Sequence, residues 1–243
     1  MIFLILGRGK TGSVVAEVAH ERGHSVRVIG EEENRDASAL TPPLLAQVDA
    51  VIDFTTPRAV IPNLRACLAN GAHVVAGTTG WYDRLQDMRA LCERRNGAIL
   101  YGTNFSIGVQ TLLRLARELA RGSAGYAVHI AETHHAGKQD APSGTALSIQ
   151  QTMRAAAPGL TVEISSAREG DAAGVHVIEA RSGSDVLTVR HESLSRRGFA
   201  EGAVRGAEWL STRTGCYDFS DVYSEISGSS SSPGVSHNPK PSF

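Results

Sequence analysis

The stretch FLILGRGKTGSVVAEVAHERG, residues 3–23, decides how the first half of the chain folds. It places Gly7, Gly9 and Gly12 at G-x-G-x-x-G spacing, after an apolar run and at the start of a helical pattern. In a strand–turn–helix unit the first glycine allows a tight turn and the second lets a pyrophosphate approach the backbone. The third lets the helix pack on the strand. We therefore predict a dinucleotide site at this turn, with a merely structural glycine turn as the alternative.

Four further apolar runs follow in the first half, VRVIG, DAVIDF, HVVAG and AILYG, and helical patterns separate them. Strands that are apolar almost throughout are typical of a parallel sheet with helices on both faces. The alternation predicts an α/β fold whose N-terminal part, residues 1–104, is a Rossmann-type, doubly wound parallel sheet. This part is the expected dinucleotide-binding domain.

Several loops of the first half lie where a doubly wound sheet binds its ligand, beyond the carboxyl ends of the strands. Glu31 follows the second apolar run, where an acid holds the ribose hydroxyls and favours NADH over NADPH. Arg35 could instead reach an additional phosphate, and residues 31–33 could be only a solvated turn. The loop AGTTGW could line the nicotinamide end with Gly77, Thr78 and Thr79, although Thr79 would also serve as a helix N-cap.

The second half of the chain has a different pattern. A long amphipathic helix is followed by strands in succession, with one clear helix, at about 143–157, among them. This favours a smaller α+β domain with an open mixed sheet over residues 105–197. The helical and closing segments of residues 198–227 are predicted to complete the first domain. Residues 228–243 contain too few apolar side chains to fold and are expected to form a disordered tail.

One polar stretch of the second half, AETHHAGKQDAPSGTAL, residues 131–147, combines groups that suit an anionic substrate. Pro142 is suited to a first helical turn, and the residues that follow it expose backbone N–H groups beside hydroxyls, reinforced by the helix dipole. His135 and Lys138 add two more donors. The expected carboxylate site comprises Ser143, Gly144 and Thr145 together with these donors.

His134 is the candidate for proton transfer in this stretch, because an imidazole titrates near neutral pH. Neighbouring residues of a strand point to opposite faces of the sheet. One of His134 and His135 could therefore have only a structural role, as a hydrogen-bonded side chain beside the site. A metal site is the other alternative. No third ligand stands at suitable spacing and Lys138 would repel a cation, so we predict no metal.

The bulk composition restricts the partners and the compartment. Lys and Arg number 24 against 25 Asp and Glu, so we expect neither nucleic acid nor an anionic membrane as a partner. The three cysteines form no short-spaced metal pattern and cannot all pair, and free thiols of this kind are typical of a reducing compartment, which predicts a cytoplasmic protein. The opening MIFLIL is too short for a signal or a membrane span and is expected to be a buried strand.

The segment ETHHAGKQDAPSGTA, residues 132–146, resembles the signature of the 4-hydroxy-tetrahydrodipicolinate reductase (dihydrodipicolinate reductase) family. The similarity extends over roughly residues 1–226 through GRGKTG, VIDFTTP, VVAGTTGW, NFSIGV, SAREGDAAGVHVI and SRRGFAEGAVRGAEW, in this order. It implies an NAD(P)H-dependent oxidoreductase of lysine biosynthesis. Such an enzyme reduces 4-hydroxy-tetrahydrodipicolinate to tetrahydrodipicolinate, with loss of water, in the diaminopimelate pathway.

The resemblance also implies roles for individual residues. His134 matches the family's proton donor and acceptor, and Lys138 matches its second catalytic donor. His135, Gly144 and Thr145 match contacts to the substrate carboxylates. The matching nucleotide contacts are Gly7, Arg8, Gly9, Lys10, Thr11, Gly12, Glu31, Gly77, Thr78, Thr79, Gly102, Thr103, Asn104 and Phe105. The partners implied are a small dicarboxylate and three further copies of the chain, with NADH, NADPH or both as cofactors and no metal.

Two departures from the family pattern leave points open. Arg8 and Lys10 stand where an Arg-Met pair is common, so either could contact a phosphate and weaken a preference for NADH. The region of residues 160–195 is compact, which weakens the expectation of a homotetramer. Two rival functions are an amino-acid semialdehyde dehydrogenase, which would need a thiol nucleophile or another acid and base set, and an NADH sensor without chemistry, which would not need His134 and Lys138.

Overall fold

The computed structural model describes residues 1–170 and 173–228. Within these ranges no helix is both long enough and apolar enough to cross a membrane. The tail expected over residues 228–243 falls, apart from Gly228, outside the described residues.

The first sheet has six parallel strands. They are β1 (Ile2–Leu6), β2 (Ser25–Ile29), β3 (Ala50–Asp53), β4 (His73–Ala76), β5 (Ala98–Tyr101) and β10 (Gly215–Asp218). Their order in the sheet is β10-β5-β4-β3-β1-β2, so the direction of winding reverses between β1 and β3. A ligand crevice is expected at the carboxyl ends of the strands at such a reversal.

Helices cover both faces of this sheet. They are α1 (Lys10–Glu21), α2 (Pro42–Leu45), α3 (Pro57–Ala69), α4 (Leu85–Arg95), α7 (Arg197–Leu210) and α8 (Phe219–Ile226). In β1, Phe3 and Ile5 are buried in a core with α1, α7 and α8, whereas Leu4 and Leu6 are buried in a second core with α3 and α4. Alternate side chains of one strand therefore fill two cores, which explains why β1 is apolar throughout.

The second sheet has four strands in the order β7-β6-β8-β9. They are β6 (Ala127–His134), β7 (Val162–Arg168), β8 (Val175–Arg181) and β9 (Val186–Glu192). β6 and β7 are parallel, while β8 is antiparallel to both β6 and β9. Helices α5 (Ile107–Gly122) and α6 (Gly144–Ala156) pack against one face of this sheet. The predicted fold class, a doubly wound parallel sheet with a smaller mixed sheet, is confirmed.

The sequence patterns missed strand β10 and helix α2 and described the closing element only in outline. β10 has four half-buried residues and no alternation of apolar and polar side chains, so it gives no strand signal. α2 is a single turn that begins at Pro42. The closing element of residues 218–226 is helix α8, which buries Phe219 in the core beside α1. The domain boundaries themselves remain a prediction.

Candidate active site

A cavity of about 1000 Å³ lies between the two sheets and is lined by residues from both halves of the chain. Ten of the predicted site residues line it: Lys10, Thr79, Thr103, Asn104, His134, His135, Lys138, Ser143, Gly144 and Thr145. The fold thus brings the expected nicotinamide end and the expected substrate end into one space. Arg196, to which the sequence patterns assigned no role, lines the same cavity from the start of α7.

A second cavity, of about 250 Å³, extends along the glycine turn and is lined by Gly7, Arg8, Gly9 and Glu31. The linings of the two cavities do not include the other six predicted residues, Thr11, Gly12, Gly77, Thr78, Gly102 and Phe105. The Phe105 ring is buried in the first core, and Thr78 is bonded to a neighbouring carboxylate. Cofactor contacts from these six residues remain a prediction.

The glycine turn has the close approaches that its spacing predicts. Gly7 has φ of +105°, and a Cβ there would lie 2.2 Å from the carbonyl oxygen of Phe54. A Cβ on Gly12 would lie 2.2 Å from the carbonyl oxygen of Gly7. A Cβ on Gly9 would have no atom within 4 Å. Gly7 and Gly12 are therefore required by the fold. Gly9, in contrast, leaves open space for a ligand at the start of α1, where no side chain caps the helix.

Two charged side chains at the small cavity, Arg8 and Glu33, are paired with each other. The Glu33 carboxylate accepts the N–H of Gly30 at 2.8 Å and forms an ion pair with Arg8 at 2.6 Å. The Gly30 hydrogen bond, followed by the Arg8 guanidinium, lowers the pKa of Glu33. Glu31 lines the cavity itself. Glu33 therefore holds Arg8, whereas the expected contact of Glu31 with the ribose remains a prediction.

A buried carboxylate, Asp53, ties together the loops behind the cofactor cleft. Its Oδ1 accepts the Thr55 N–H at 3.0 Å and the hydroxyls of Thr55 and Thr78, each at 2.7 Å. Its Oδ2 accepts from Asn63 at 2.8 Å, and Asn63 in turn accepts from Asn34 at 2.8 Å. Burial raises the pKa of Asp53, and these hydrogen bonds oppose that effect. The sequence patterns did not single out this network.

His134 is the last residue of β6, and its side chain is 9% exposed. Glu132 lies two residues earlier and so shares its face of the strand. The Nδ1 atom of His134 is 3.6 Å from Oε2 of Glu132 and has no hydrogen-bond partner. Burial lowers the pKa of His134; the Glu132 carboxylate opposes this and the charge of Lys138 adds to it. The resting imidazole is therefore biased towards its neutral form.

The N-terminal turn of α6 faces the cavity next to this imidazole. Ser143 caps the helix by accepting the Ala146 N–H at 3.2 Å, and its own N–H donates to Glu132 at 3.0 Å. The N–H groups of Gly144 and Thr145 are the first two of the helix and have no partner within it. Because Ser143 is buried with these groups engaged, Gly144 and Thr145 offer the more accessible donors.

The loop between β6 and α6 positions the second predicted catalytic group. Lys138 forms an ion pair with Asp140 at 2.6 Å, and the hydrogen bond lowers the pKa of Asp140. Arg168 donates to the carbonyl oxygens of Lys138 and Asp140 and lies 3.5 Å from Glu132. The guanidinium therefore fixes this loop to the end of β6.

Glu132, His134 and His176 have ligand atoms within 4.8 Å of one another, a separation that would suit a metal ion. Two cations oppose this use. The Arg168 guanidinium lies 3.5 Å from Glu132, and Lys138 is close enough to lower the pKa of His134. We assign no metal ligand here, and the absence of a metal remains a prediction.

Besides Arg196, sequence reasoning missed three residues around His134: Glu132, Arg168 and His176. Glu132 could have been found, because it precedes His134 by two positions on a strand of period two. Arg168 and His176 could not, because strand register brings them in: Arg168 lies opposite His134, and His176 lies opposite Glu132. Strand register is not visible in a single sequence.

Two family models match almost the whole chain. The model described as "Dihydrodipicolinate reductase, N-terminus" matches residues 1–105, and "Dihydrodipicolinate reductase, C-terminus" matches residues 108–223. The chain belongs to the dihydrodipicolinate reductase family. The resemblance seen in its motifs is thus confirmed.

Relatives in this family match the chain over nearly its full length. A 4-hydroxy-tetrahydrodipicolinate reductase of Christiangramia forsetii is 33% identical over 242 residues, which cover 93% of this chain and 99% of the relative. The enzyme of the same name from Natronomonas pharaonis is 37% identical over 246 residues, covering 91% and 99%. A dipicolinate-bound dihydrodipicolinate reductase from Paenisporosarcina sp. TG-14 has the same fold, with a TM-score of 0.77, 23% identity and coverage of 91% and 99%.

Proposed function

We propose that this chain reduces 4-hydroxy-tetrahydrodipicolinate to tetrahydrodipicolinate with NADH or NADPH, in the diaminopimelate route to lysine. The reaction takes up one hydride and one proton and releases one water. The observation that carries the proposal is the shared cavity, in which Lys10 and Thr79 from the dinucleotide half face His134 and Lys138 from the other half. Membership of the family and the names of its relatives support it.

The cofactor fits the cleft along the first sheet. Its phosphates would lie over Gly9, where the backbone is open, at the N-terminus of α1. Thr79, Thr103 and Asn104 line the large cavity and would hold the nicotinamide end. When bound, the reduced nicotinamide supplies the hydride. Thr11, Gly12, Gly77, Thr78, Gly102 and Phe105 would contribute through their backbone or by shaping the loops.

The substrate is a dicarboxylate, and the second sheet offers donors for it. One carboxylate would accept from the N–H groups of Gly144 and Thr145, where the helix dipole favours negative charge. Lys138 and His135 line the same cavity and add charge-assisted donors, with Ser143 holding the turn in place. These groups provide local positive potential in a chain whose formal net charge is −1.

His134 supplies the proton in this proposal. Its pKa is lowered mainly by burial, so the resting protein holds little imidazolium at neutral pH. A dianionic substrate beside the ring would favour the protonated form, because an opposite charge within a few ångströms raises the pKa of a histidine. The proton would then be taken up as the substrate binds and be available at the reacting carbon.

A semialdehyde dehydrogenase is the less suitable alternative. Cys67 and Cys92 are buried, and burial raises the pKa of both thiols. Burial also raises the pKa of Cys216, to about 11. The lining of the large cavity includes none of the three. A reaction through a thiolate nucleophile therefore has no suitable group at this site.

The assembly and setting are part of the proposal. We place the domain division at residues 1–104 with 198–227 against 105–197, and we propose a metal-free homotetramer in the cytoplasm. Among the described residues, helices α5 and α6 pack on one face of the second sheet, and the other face would be available for contact between copies. Light scattering on the purified protein would test the tetramer, and unchanged activity after treatment with a chelator would support the absence of a metal.

A coupled assay tests the proposed reaction. Aspartate semialdehyde and pyruvate are condensed by the preceding synthase, this protein is added, and nicotinamide absorbance is followed with NADH and NADPH separately. Oxidation that depends on the synthase is expected. Folded protein that binds NADH but oxidises neither cofactor would contradict the proposal.

Replacing the proton donor tests the site within the same assay. His134→Gln should lower turnover about a hundredfold or more, the usual effect of losing a general acid, and leave NADH binding nearly intact. Turnover and a fluorescence titration with NADH measure the two effects. Unchanged turnover would remove His134 from the mechanism.

A further inference from the structure

A row of polar side chains crosses the second sheet beneath the cavity. In register from strand to strand it runs Ser166, Glu132, His176 and His191, on β7, β6, β8 and β9. The Glu132 side chain has no exposed surface, and His176 is also buried. Burying a charged carboxylate costs free energy unless several groups compensate the charge. The contacts of Glu132 therefore show what offsets this cost.

The contacts of Glu132 converge on the groups that face the substrate. Its carboxylate accepts the Ser143 N–H at 3.0 Å through Oε1 and at 3.2 Å through Oε2. Oε2 is 3.6 Å from Nδ1 of His134 and 3.7 Å from Nε2 of His176. Burial alone raises the pKa of Glu132, but hydrogen bonds from Ser143 and Ser166 lead the opposing effects and bring it below its ordinary value. The side chain is therefore a carboxylate at neutral pH.

We propose that Glu132 is a positioning residue that orients the imidazole of His134 through Nδ1 and fixes the N-terminal turn of α6 through Ser143. This inference rests on the proposed function, because it concerns the proton donor of that reaction. Nδ1 of His134 is buried without a hydrogen-bond partner, and Glu132 is the carboxylate facing it. A separation of 3.6 Å lies just outside hydrogen-bonding range, and such contacts often tighten only when substrate binds.

With Nδ1 directed at Glu132, Nε2 is the ring atom left for the substrate. A Cβ on Gly174 would lie 3.1 Å from Nε2, so the glycine keeps space beside this atom. Both carboxylate oxygens also accept the N–H of Ser143. These hydrogen bonds fix the position of the N-terminal turn of α6 relative to β6. One side chain thus fixes the distance between the proton donor and the carboxylate-binding turn, a distance on which the rate of such a reaction depends steeply.

The effect of Glu132 on protonation has a definite sign. Four other titratable or charged groups face His134 from the surrounding elements. They are Lys138 and Asp140 from the loop, Arg168 from β7 and His176 from β8. Three of these are cations or become cations, and Asp140 is paired with Lys138. Removing the charge of Glu132 would leave an excess of positive charge, so His134 would release its proton more readily.

Glu132→Gln tests the inference, with Glu163→Gln as the matched control. Glu163 is an exposed residue of β7 in the same sheet and receives the same change. The titration of His134 in the protein without ligands is followed by NMR of the imidazole Cε1–H, with the signal assigned by its loss in His134→Gln. We expect the His134 pKa to fall by about one pH unit in Glu132→Gln and to stay unchanged in Glu163→Gln.

Kinetics provide a second readout that a merely structural role would not change. We expect Glu132→Gln to lower kcat about tenfold to a hundredfold with a smaller change in KM, and the high-pH limb of kcat to move to lower pH with the His134 pKa. Glu132→Asp keeps the charge but withdraws it by one methylene. It should restore part of both effects, and it keeps the inference testable if Glu132→Gln fails to fold.

The possible outcomes separate this inference from the proposed function. A His134 titration and a pH profile unchanged in a folded Glu132→Gln protein would overturn the inference, even if His134→Gln were inactive. A shifted titration with full turnover in His134→Gln would support the contact and overturn the proposed proton donor instead. A Glu163→Gln protein that shifts as far as Glu132→Gln would also overturn the inference, because the effect would then be one of overall charge.

Discussion

The chain places a buried carboxylate near each of two segments that join a strand to a helix. Asp53 lies beside the glycine turn between β1 and α1, and Glu132 lies on β6, which the loop joins to α6. We call the glycine turn with Asp53 and its neighbouring loops the first unit, and β6 with this loop and α6 the second unit. In the first unit Asp53 accepts four hydrogen bonds, all from neutral donors. In the second, Glu132 lies among two imidazoles and the Arg168 guanidinium, with one imidazole nitrogen facing it left without a partner. Both carboxylates are buried, but they differ in their neighbours.

This difference separates a structural role from a chemical one. A network of neutral donors around one carboxylate holds the surrounding loops in one arrangement. The network around Glu132 contains histidines whose pKa values are lowered by burial, so its charge can change during a reaction. We infer that the first unit is a fixed cradle and that the second is the part of the site that exchanges protons.

The largest effect is expected on removing the carboxylate of the fixed cradle. Asp53→Ala would leave the donors of Thr55, Thr78 and Asn63 without their acceptor in a buried position. The free energy of unfolding should fall by about 3 kcal/mol, because unsatisfied buried donors cost roughly 1 to 3 kcal/mol each and some recover partners. Chemical denaturation measures this loss. NADH binding should also weaken, because Thr55 lines the small cavity.

The control for this prediction is Asp87→Ala, which removes an exposed carboxylate paired with Arg84. Exposed ion pairs of this kind contribute less than about 1 kcal/mol. If the two variants lost the same stability, the network around Asp53 would not be the anchor that its hydrogen bonds indicate.

The next effect concerns His176 and the pH dependence of stability. Burial, followed by the nearby charge of His134, lowers the pKa of His176 from 6.5 to about 4 in the folded protein. The unfolded chain therefore takes up the proton first. The contribution of the neutral ring is fully present above pH 6.5 and is lost as the pH falls towards 4, by up to about 3 kcal/mol.

Denaturation curves at pH values from 7 to 4 measure this loss as the difference between the wild type and His176→Gln, about 3 kcal/mol. His176→Gln should flatten the fall in the free energy of unfolding over this pH range. His129→Gln should keep it, because His129 lies on the face of β6 opposite to Glu132 and His134. A His176→Gln profile that falls as steeply as the wild type would mean that the second network does not titrate in this range.

The two units also differ in how far a sequence reveals them. The glycine turn is local: Gly7 and Gly12 are needed because a side chain would meet backbone atoms a few residues or one strand away. The apolar runs around it reflect two cores filled by one sheet, so the doubly wound fold was predictable. β10 was not, because it owes its place to pairing with β5 and has no pattern of its own.

The second unit was predictable only in part. Three predicted features are close together in the sequence and line the same cavity: His134, Lys138 and the turn at Ser143. The groups that set their chemistry come from other strands: His176 and Arg168 depend on register. Residue types and spacing therefore predict which residues line the site, whereas the neighbours that adjust their charge emerge only from the packed sheet.

The smallest expected effect is on cofactor binding and concerns the charged side chains at the small cavity. Glu31 lines the small cavity, and Arg8 is held by Glu33 rather than left free for a phosphate. Glu31→Ala should weaken NADH binding roughly tenfold, by removing charge-assisted hydrogen bonds to the ribose, and should weaken NADPH binding less. Fluorescence titration with each cofactor measures both dissociation constants, and Glu32→Ala, an exposed neighbour, provides the control. Equal losses for the two cofactors would mean that another residue holds the ribose. A selective loss for NADH would show that charge beside the glycine turn serves to choose the cofactor.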